Sequence, residues 1–200
     1  MLYELMKQLM LGGELQFGEG KIAFMGQRMQ LVNSSFFAYR LKYAEDFWKE
    51  AQMQYRAMKD ANIKGWFEPL RKEKGLKGDE LSDWAKKYFN LAGWGKLTVK
   101  FSQFLKGRAL LQIEDSALAK AYLENFGKSK HPMCHLARGG ICSGANDIIN
   151  RTDIEVVETK CIAQGNPFCE MIIRPHSEFK NPEYGPYKNQ ISLGLRSSND

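Results

Sequence analysis

A chain of 200 residues with 44% hydrophobic and 12% aromatic content has enough apolar material to bury a full core as one domain, which excludes a disordered or fibrous protein. The net charge of +6 is interleaved with acids (Arg71-Lys72-Glu73-Lys74, Lys77-Gly78-Asp79-Glu80) and not gathered on a basic face with aromatics, so direct nucleic-acid binding is not expected. No apolar run reaches the roughly 18 residues that span a bilayer.

The opening Met1–Leu11 carries Glu4 and Lys7 and lacks a small-residue cleavage site. It reads as a short amphipathic helix, not a signal peptide, which points to a cytoplasmic protein. After Gly12-Gly13, the loose alternation of Glu14 to Gly26 around Gly18-Glu19-Gly20 predicts a small hairpin. Phe37, Leu41, Ala44, Trp48, Ala51, Tyr55 and Met58 recur in steps of four and three and predict one long helix over Ser35–Asp60, with Ser34 or Ser35 as N-cap. So narrow a stripe suits packing on another helix, either in the same chain or in a second copy. A loop through Gly65 and Pro69 to Gly78 then leads to a helix from about Asp79, with Leu81, Trp84, Ala85, Tyr88 and Phe89 on one face, and Gly93-Trp94-Gly95 ends it.

Strands are predicted over Lys96–Phe104 and Ala109–Glu114, a helix over Ser116–Phe126, a further helix over Leu136–Asn150, and strands over Asp153–Thr159 and Phe168–Arg174. The helix over Leu136–Asn150 is rich in small residues: Ala137, Gly139, Gly140, Ser143, Gly144 and Ala145. Each interior glycine costs about 1 kcal/mol against alanine, so the run predicts close approach by another backbone or by a ligand. From Pro175 the chain turns polar and aperiodic, and residues 176–200 read as an extended C-terminal extension on a single domain of residues 1–175.

The last third holds all four cysteines. In a reducing compartment such a cluster suits metal ligation better than disulfides. On the strand leading to Cys161, Glu158 continues the apolar face of Ile154 and Val156, and a carboxylate there is costly to bury unless it is paired or bound to a cation. Gly165-Asn166-Pro167 turns the chain back and brings Cys169 near Cys161, with Cys134 upstream at the head of the small-residue helix. Three thiolates and one carboxylate suit tetrahedral zinc, and such a closed set leaves no open position for a substrate water, which marks a structural site. His135 or His131 could replace Glu158 as a ligand, and Cys142 reads as a buried thiol packing like a small apolar residue.

The run Pro132-Met133-Cys134-His135, the Gly/Ala-rich helix, Glu158-Thr159-Lys160-Cys161, Gly165 and Cys169 resembles the 4-vinyl-reductase (4VR) type ligand-binding domains, and Gly93-Trp94-Gly95 fits more loosely. The motif covers about Pro132 to Ile173. That family includes sensor domains of activators that respond to phenol, toluene and related aromatics, and the resemblance implies zinc held by Cys134, Glu158, Cys161 and Cys169. It further implies an α+β fold, helices packed on an antiparallel sheet, similar to the TRAPP vesicle-tethering subunits and more distantly to haem-based nitric-oxide sensors. A homodimer with a buried small-molecule pocket beside the zinc follows from the same likeness. The chain shows neither the ATPase nor the DNA-binding portion of the activators.

The resulting expectation is a zinc-containing protein that binds or senses an apolar or aromatic compound, with Trp94, Phe101, Tyr122 and Phe168 as pocket candidates and nine methionines able to line an adaptable cavity. Two alternatives stand beside it. One is a reductase-type enzyme or accessory protein acting on a vinyl or tetrapyrrole substrate. Against it, no Gly-rich dinucleotide fingerprint follows a strand, and the three histidines (His131, His135, His176) form no Ser-His-Asp arrangement. The other is an assembly or adaptor protein that meets a protein partner through the helix of Phe37–Met58 and the tail. A catalytic Cys134 beside His135 is a further option, weakened because adjacent residues rarely face each other.

Overall fold

The computed structural model of the chain describes residues 4, 7, 10–13, 15–24, 27–61 and 67–191. The helix expected over 1–11 lies for the most part outside the described residues, as do 192–200 of the tail. The predicted hairpin is present as β1 (Leu15–Gly18) and β2 (Lys21–Phe24), with Phe17 opposite Ile22, and a third strand not foreseen, β3 (Gln27–Met29), extends it to an antiparallel meander. Three residues carry no alternation to read.

The long helix expected over Ser35–Asp60 is two helices, α1 (Ser34–Lys42) and α2 (Phe47–Ala61). Asn33 caps the first, its side chain accepting from the Ser35 amide at 2.9 Å. Asp46 restarts the second by accepting from the Lys49 amide at 3.0 Å. The apolar spacing continues across the break because both pieces face one core, so periodicity alone hides it. The stripe is spent inside the chain: Leu41, Ala51 and Tyr55 are buried in the main core. The segment read as a loop contains a further helix, α3 (Glu68–Lys74), ended by Gly75 at φ 67°. It is too short to show a period.

From α4 (Gly78–Leu91) onward the elements fall close to their expected bounds: β4 (Lys96–Gln103), β5 (Arg108–Glu114), α5 (Ala117–Phe126), α6 (His135–Ile148), β6 (Ile154–Lys160) and β7 (Cys169–Pro175). The four strands form an antiparallel sheet in the order β4-β5-β7-β6. Alternation sets its inner face, where Ala109, Leu111 and Ile113 of β5 lie beside Ile173, Met171 and Cys169 of β7. The molecule is therefore an α+β fold with helices on an antiparallel sheet.

The most extensive helix contact is that of α2 with α6. Gly139 makes it possible, since a Cβ there would overlap the Tyr55 carbonyl oxygen on α2.

Residues 176–191 are not extended. They fold back as 3-10 turns over His176–Lys180 and Pro182–Tyr187 and a helical turn, α7 (Lys188–Ile191). Phe179 and Ile191 pack on Val157, so β6, an edge strand, is buried on both faces from Ile154 to Glu158. Anchors at irregular spacing on 3-10 turns give the sequence no pattern to announce this packing.

Candidate metal centre and ligand cavity

Cys134 stands at the N-cap of α6, Glu158 near the end of β6, and Cys161 and Cys169 at the two ends of the connection from β6 to β7. That connection is a 3-10 turn (Ile162–Gln164) closed by Gly165 at φ 94°, a left-handed conformation that favours glycine. Asn166 then ties the loop back, its amide and its side chain both donating to the Cys161 carbonyl. The hairpin folds as the turn residues predict, with both sulfurs at its base.

The four side chains are buried, and their ligand atoms lie within 4.8 Å of one another. Sγ of Cys134 is 3.5 Å from Sγ of Cys169, which is 3.9 Å from Sγ of Cys161. A tetrahedral cation with metal–sulfur bonds of about 2.3 Å holds its sulfurs roughly 3.8 Å apart, so the spacing fits such an ion. All four cysteines are free thiols. Glu158 accepts from the Cys134 amide at 3.0 Å through Oε2, while its buried Oε1 has no hydrogen-bond partner. A carboxylate oxygen left bare inside a protein costs free energy, and a cation would satisfy it.

Around the sulfurs, the Ile162 amide donates to Cys169 at 3.3 Å, and the Ser116 hydroxyl lies 3.2 Å from Cys134. Hydrogen bonding with Cys134 and Cys161 draws the Cys169 thiol down to about 6. At Cys161 the bond with Cys134 acts downward, but Cys169 and burial together leave the thiol pushed up to about 11. Cys134 is raised by its bonds to the other two thiols, and Glu158 by burial and then by Cys161. Without a cation the cluster therefore retains protons that metal binding would displace.

The alternative ligands His131 and His135 are placed elsewhere. His131 packs 4.7 Å from the Phe47 ring and 5.2 Å from Trp48, and His135 lies beside the same two rings. Burial, then the Arg138 charge, holds His135 well below the ordinary imidazole value. Cys142 lies apart from the cluster, donating to the Ile154 carbonyl at 3.0 Å, and burial pushes its thiol up to about 12.

A cavity of about 720 Å³ opens between the β1–β3 meander, α4, α6 and the inner face of β4 and β5. Phe24, Phe37, Met58, Trp94, Leu111 and Ile141 are among its walls, and Arg28 and Lys86 are the only charged side chains on it among the described residues. Gly140 and Gly144 of α6 also line it, so the glycines of this helix serve both of the uses anticipated: Gly139 admits a backbone and its neighbours bound a cavity. Stacking of Phe24 on Tyr88 at 4.8 Å holds the meander against α4. Of the four pocket candidates, Trp94 lines the cavity. Phe101 is exposed on β4, Tyr122 is buried against Phe126, and Phe168 lies under the Lys160 ammonium.

Sequence reasoning passed over Arg138 and Gln190, both buried close to Glu158. Arg138 was open to detection: it follows Cys134 by one helical turn and is the one formal charge in the run from His135 to Ala145.

Residues 111–175, which include all four clustered side chains, match the domain of the vinyl-4-reductase (4VR) type. The phenol regulator MopR of Acinetobacter guillouiae is 35% identical over 65 residues, which are 32% of this chain and 11% of that protein. This chain thus matches about a ninth of the regulator's length. Among solved structures, the phenol-responsive sensory domain of the transcription activator PoxR, determined with phenol, superposes with a TM-score of 0.74 at 19% identity, over 90% of this chain and 94% of that one. A vinyl-4-reductase family protein of Methanocaldococcus jannaschii gives a TM-score of 0.45 at 15% identity, over 74% and 83% of the two chains. The PoxR likeness shows a shared fold, and the domain match bears out the resemblance read from the cysteine run.

Proposed function

We propose that the chain binds a small aromatic or similarly apolar compound in the cavity between α4 and α6 and acts as a sensor module, with zinc at Cys134, Glu158, Cys161 and Cys169 in a structural role. The observation that carries the ligand reading is the cavity itself. Its size falls within the roughly 300–1,000 Å³ typical of small-molecule sites, and its lining is apolar with Trp94 at one wall. The fold shared with a phenol-responsive sensory domain favours the same ligand class.

For zinc, the support is three soft thiolates with one carboxylate at tetrahedral spacing. Bound there, zinc would supply crosslinking and no open coordination position. Residues of this chain do the rest: Gly165 shapes the loop, the Ile162 amide steadies Cys169, and the Cys134 amide orients Glu158.

A homodimer is part of the proposal, supported by large apolar side chains left exposed on the meander and on the edge strand β4: Phe17, Leu31, Val32, Val99 and Phe101. No described helix is long and apolar enough to cross a membrane. Four free thiols fit the reducing conditions of a cytoplasm.

The test is titration calorimetry with phenol and its alkyl-substituted relatives, on the wild type and on Ala85→Trp. Ala85 lines the cavity from α4, and an indole there fills it. Saturable binding that Ala85→Trp abolishes, with metal content unchanged, is the expected result. Failure of every aromatic tested to bind the wild type would overturn the ligand reading.

A further inference from the structure

The buried corner around the cysteines holds more charge than its ligands account for. Arg138 has 0% exposure, and Glu50, Glu155 and Glu158 are the other charged residues buried to a similar degree among those described. Glu50 is paired by Arg40 at 2.7 Å, and Glu155 by Lys59 at 2.7 Å with a further bond from the Tyr55 hydroxyl. His135, the nearest other basic group on α6, is held neutral by its burial. Arg138 is left with no carboxylate partner among the described residues. Its Nη1 donates to Oε1 of Gln190 at 2.7 Å, its plane lies 4.2 Å from the Tyr55 ring centroid, and Nε and Nη2 have no hydrogen-bond partner.

Gln190 connects this cation to the cluster. The oxygen that accepts from Arg138 also accepts from the Glu158 amide at 2.9 Å, and the Gln190 side-chain nitrogen donates to the Glu158 carbonyl at 2.9 Å. One amide from the C-terminal segment thus pairs with the edge of β6 as a neighbouring strand would, and it holds the guanidinium beside Glu158. From the other side, Arg138 lies one turn along α6 from Cys134, its amide donating to the Cys134 carbonyl at 2.9 Å.

Three thiolates and a carboxylate around a divalent cation leave a net charge of about −2, and a buried net charge costs several kcal/mol unless an opposite charge lies near. We infer that Arg138 is the positioning residue that balances the metal centre, and that Gln190 holds it in place, so metal loading and docking of residues 188–191 favour one another. This rests on the metal reading given above. A guanidinium suits the task because it stays charged when buried and can stack on Tyr55 at the same time.

The experiment measures zinc affinity by competition with a chromophoric chelator for the wild type, Arg138→Met, Arg138→Lys and Gln190→Ala, with thermal unfolding of each protein before and after loading. Arg138→Met is expected to weaken zinc binding by roughly 10–100-fold, the range found when a group supporting a ligand is removed. Arg138→Lys should recover most of that loss. Gln190→Ala, which keeps the charge and frees its position, should lose about tenfold by the same reasoning. The rise in unfolding temperature on loading should shrink in Arg138→Met while its metal-free midpoint stays level or rises. A merely structural arginine would lower both midpoints together and leave the affinity unchanged, and that result overturns the inference. If Arg138→Met does not fold, the lysine and Gln190 variants decide alone, and wild-type affinity in both overturns it. A wild type that takes up no zinc would instead remove the metal reading itself.

Discussion

The metal corner and the cavity wall are built on opposite principles. At the corner, ligand atoms from the head of α6 and from one hairpin converge within 4.8 Å, and nearby amides and a hydroxyl fix their directions. The cavity wall is assembled from the meander, two helices and two strands, and its contacts are mostly dispersion between aromatic and aliphatic side chains, which tolerate change better than directed bonds do. The domain match over residues 111–175 contains the whole corner, whereas the meander and α4, the outer wall of the cavity, lie outside it. The stretch that matches known proteins in sequence thus stiffens the domain, and the stretch that would select a ligand has to be read from its own side chains.

The strongest way to break this contrast is to remove a sulfur. Cys161→Ser is expected to lose stoichiometric zinc, seen by metal analysis of the purified protein. The structural crosslink should go with it, at a cost of about 3 kcal/mol or more, which is roughly 6–12 °C in unfolding midpoint for a domain of this size. If the variant keeps both its metal and its midpoint, the corner is not what holds β6–β7 to α6.

Acid should do reversibly what that substitution does permanently. Zinc binds the ionised ligands, and burial and the mutual bonds of the thiols raise Cys134 above its ordinary range and Cys161 to about 11. Between pH 8 and pH 6 both are therefore protonated without metal and ionised with it. Binding displaces at least those two protons, so affinity rises with pH, by about tenfold per proton per pH unit. Across the interval the fall on acidification is roughly ten-thousandfold, measurable by chelator competition. The cavity presents no carboxylate or histidine among the described residues, and binding of a neutral aromatic should be nearly flat over the same range.

The two regions also differed in how far the sequence announced them. Soft ligands on one turn, with a carboxylate three residues before the first cysteine of the pair, are a local pattern, and Cys134, Glu158, Cys161 and Cys169 were all legible from it. The core strands and helices from Lys96 onward were legible by alternation and capping, within a residue or two. The cavity was not, because it is made by the distance between elements, which no single segment records. Hence Trp94, at the end of a helix, was found, while Phe101 was assigned inward from alternation although β4 is an edge strand with that side chain exposed. The break at Asp46 and the fold-back of 176–191 escaped for a related reason: a cap inside a continuing stripe and a run of 3-10 turns leave no period.

The two faces of α6 sharpen the contrast at single-atom scale. At Gly139 a methyl group would overlap the backbone of Tyr55, so α2 must move away from α6. Gly139→Ala should destabilise by about 2 kcal/mol even after its gain in helix propensity, or roughly 4–8 °C.

At Gly144 the same methyl group would rest 3.7 Å from the Phe67 ring, an ordinary contact on the cavity side. Gly144→Ala removes a helical glycine without a clash, so unfolding should shift upward by up to about 1 kcal/mol, or roughly 2–4 °C. It also takes a methyl's volume from the cavity. A modest loss of affinity for the bulkiest aromatic ligands alone, alongside the gain in stability, would place that ligand against this face of α6. Equal affinities for large and small ligands would put it nearer the meander and α4.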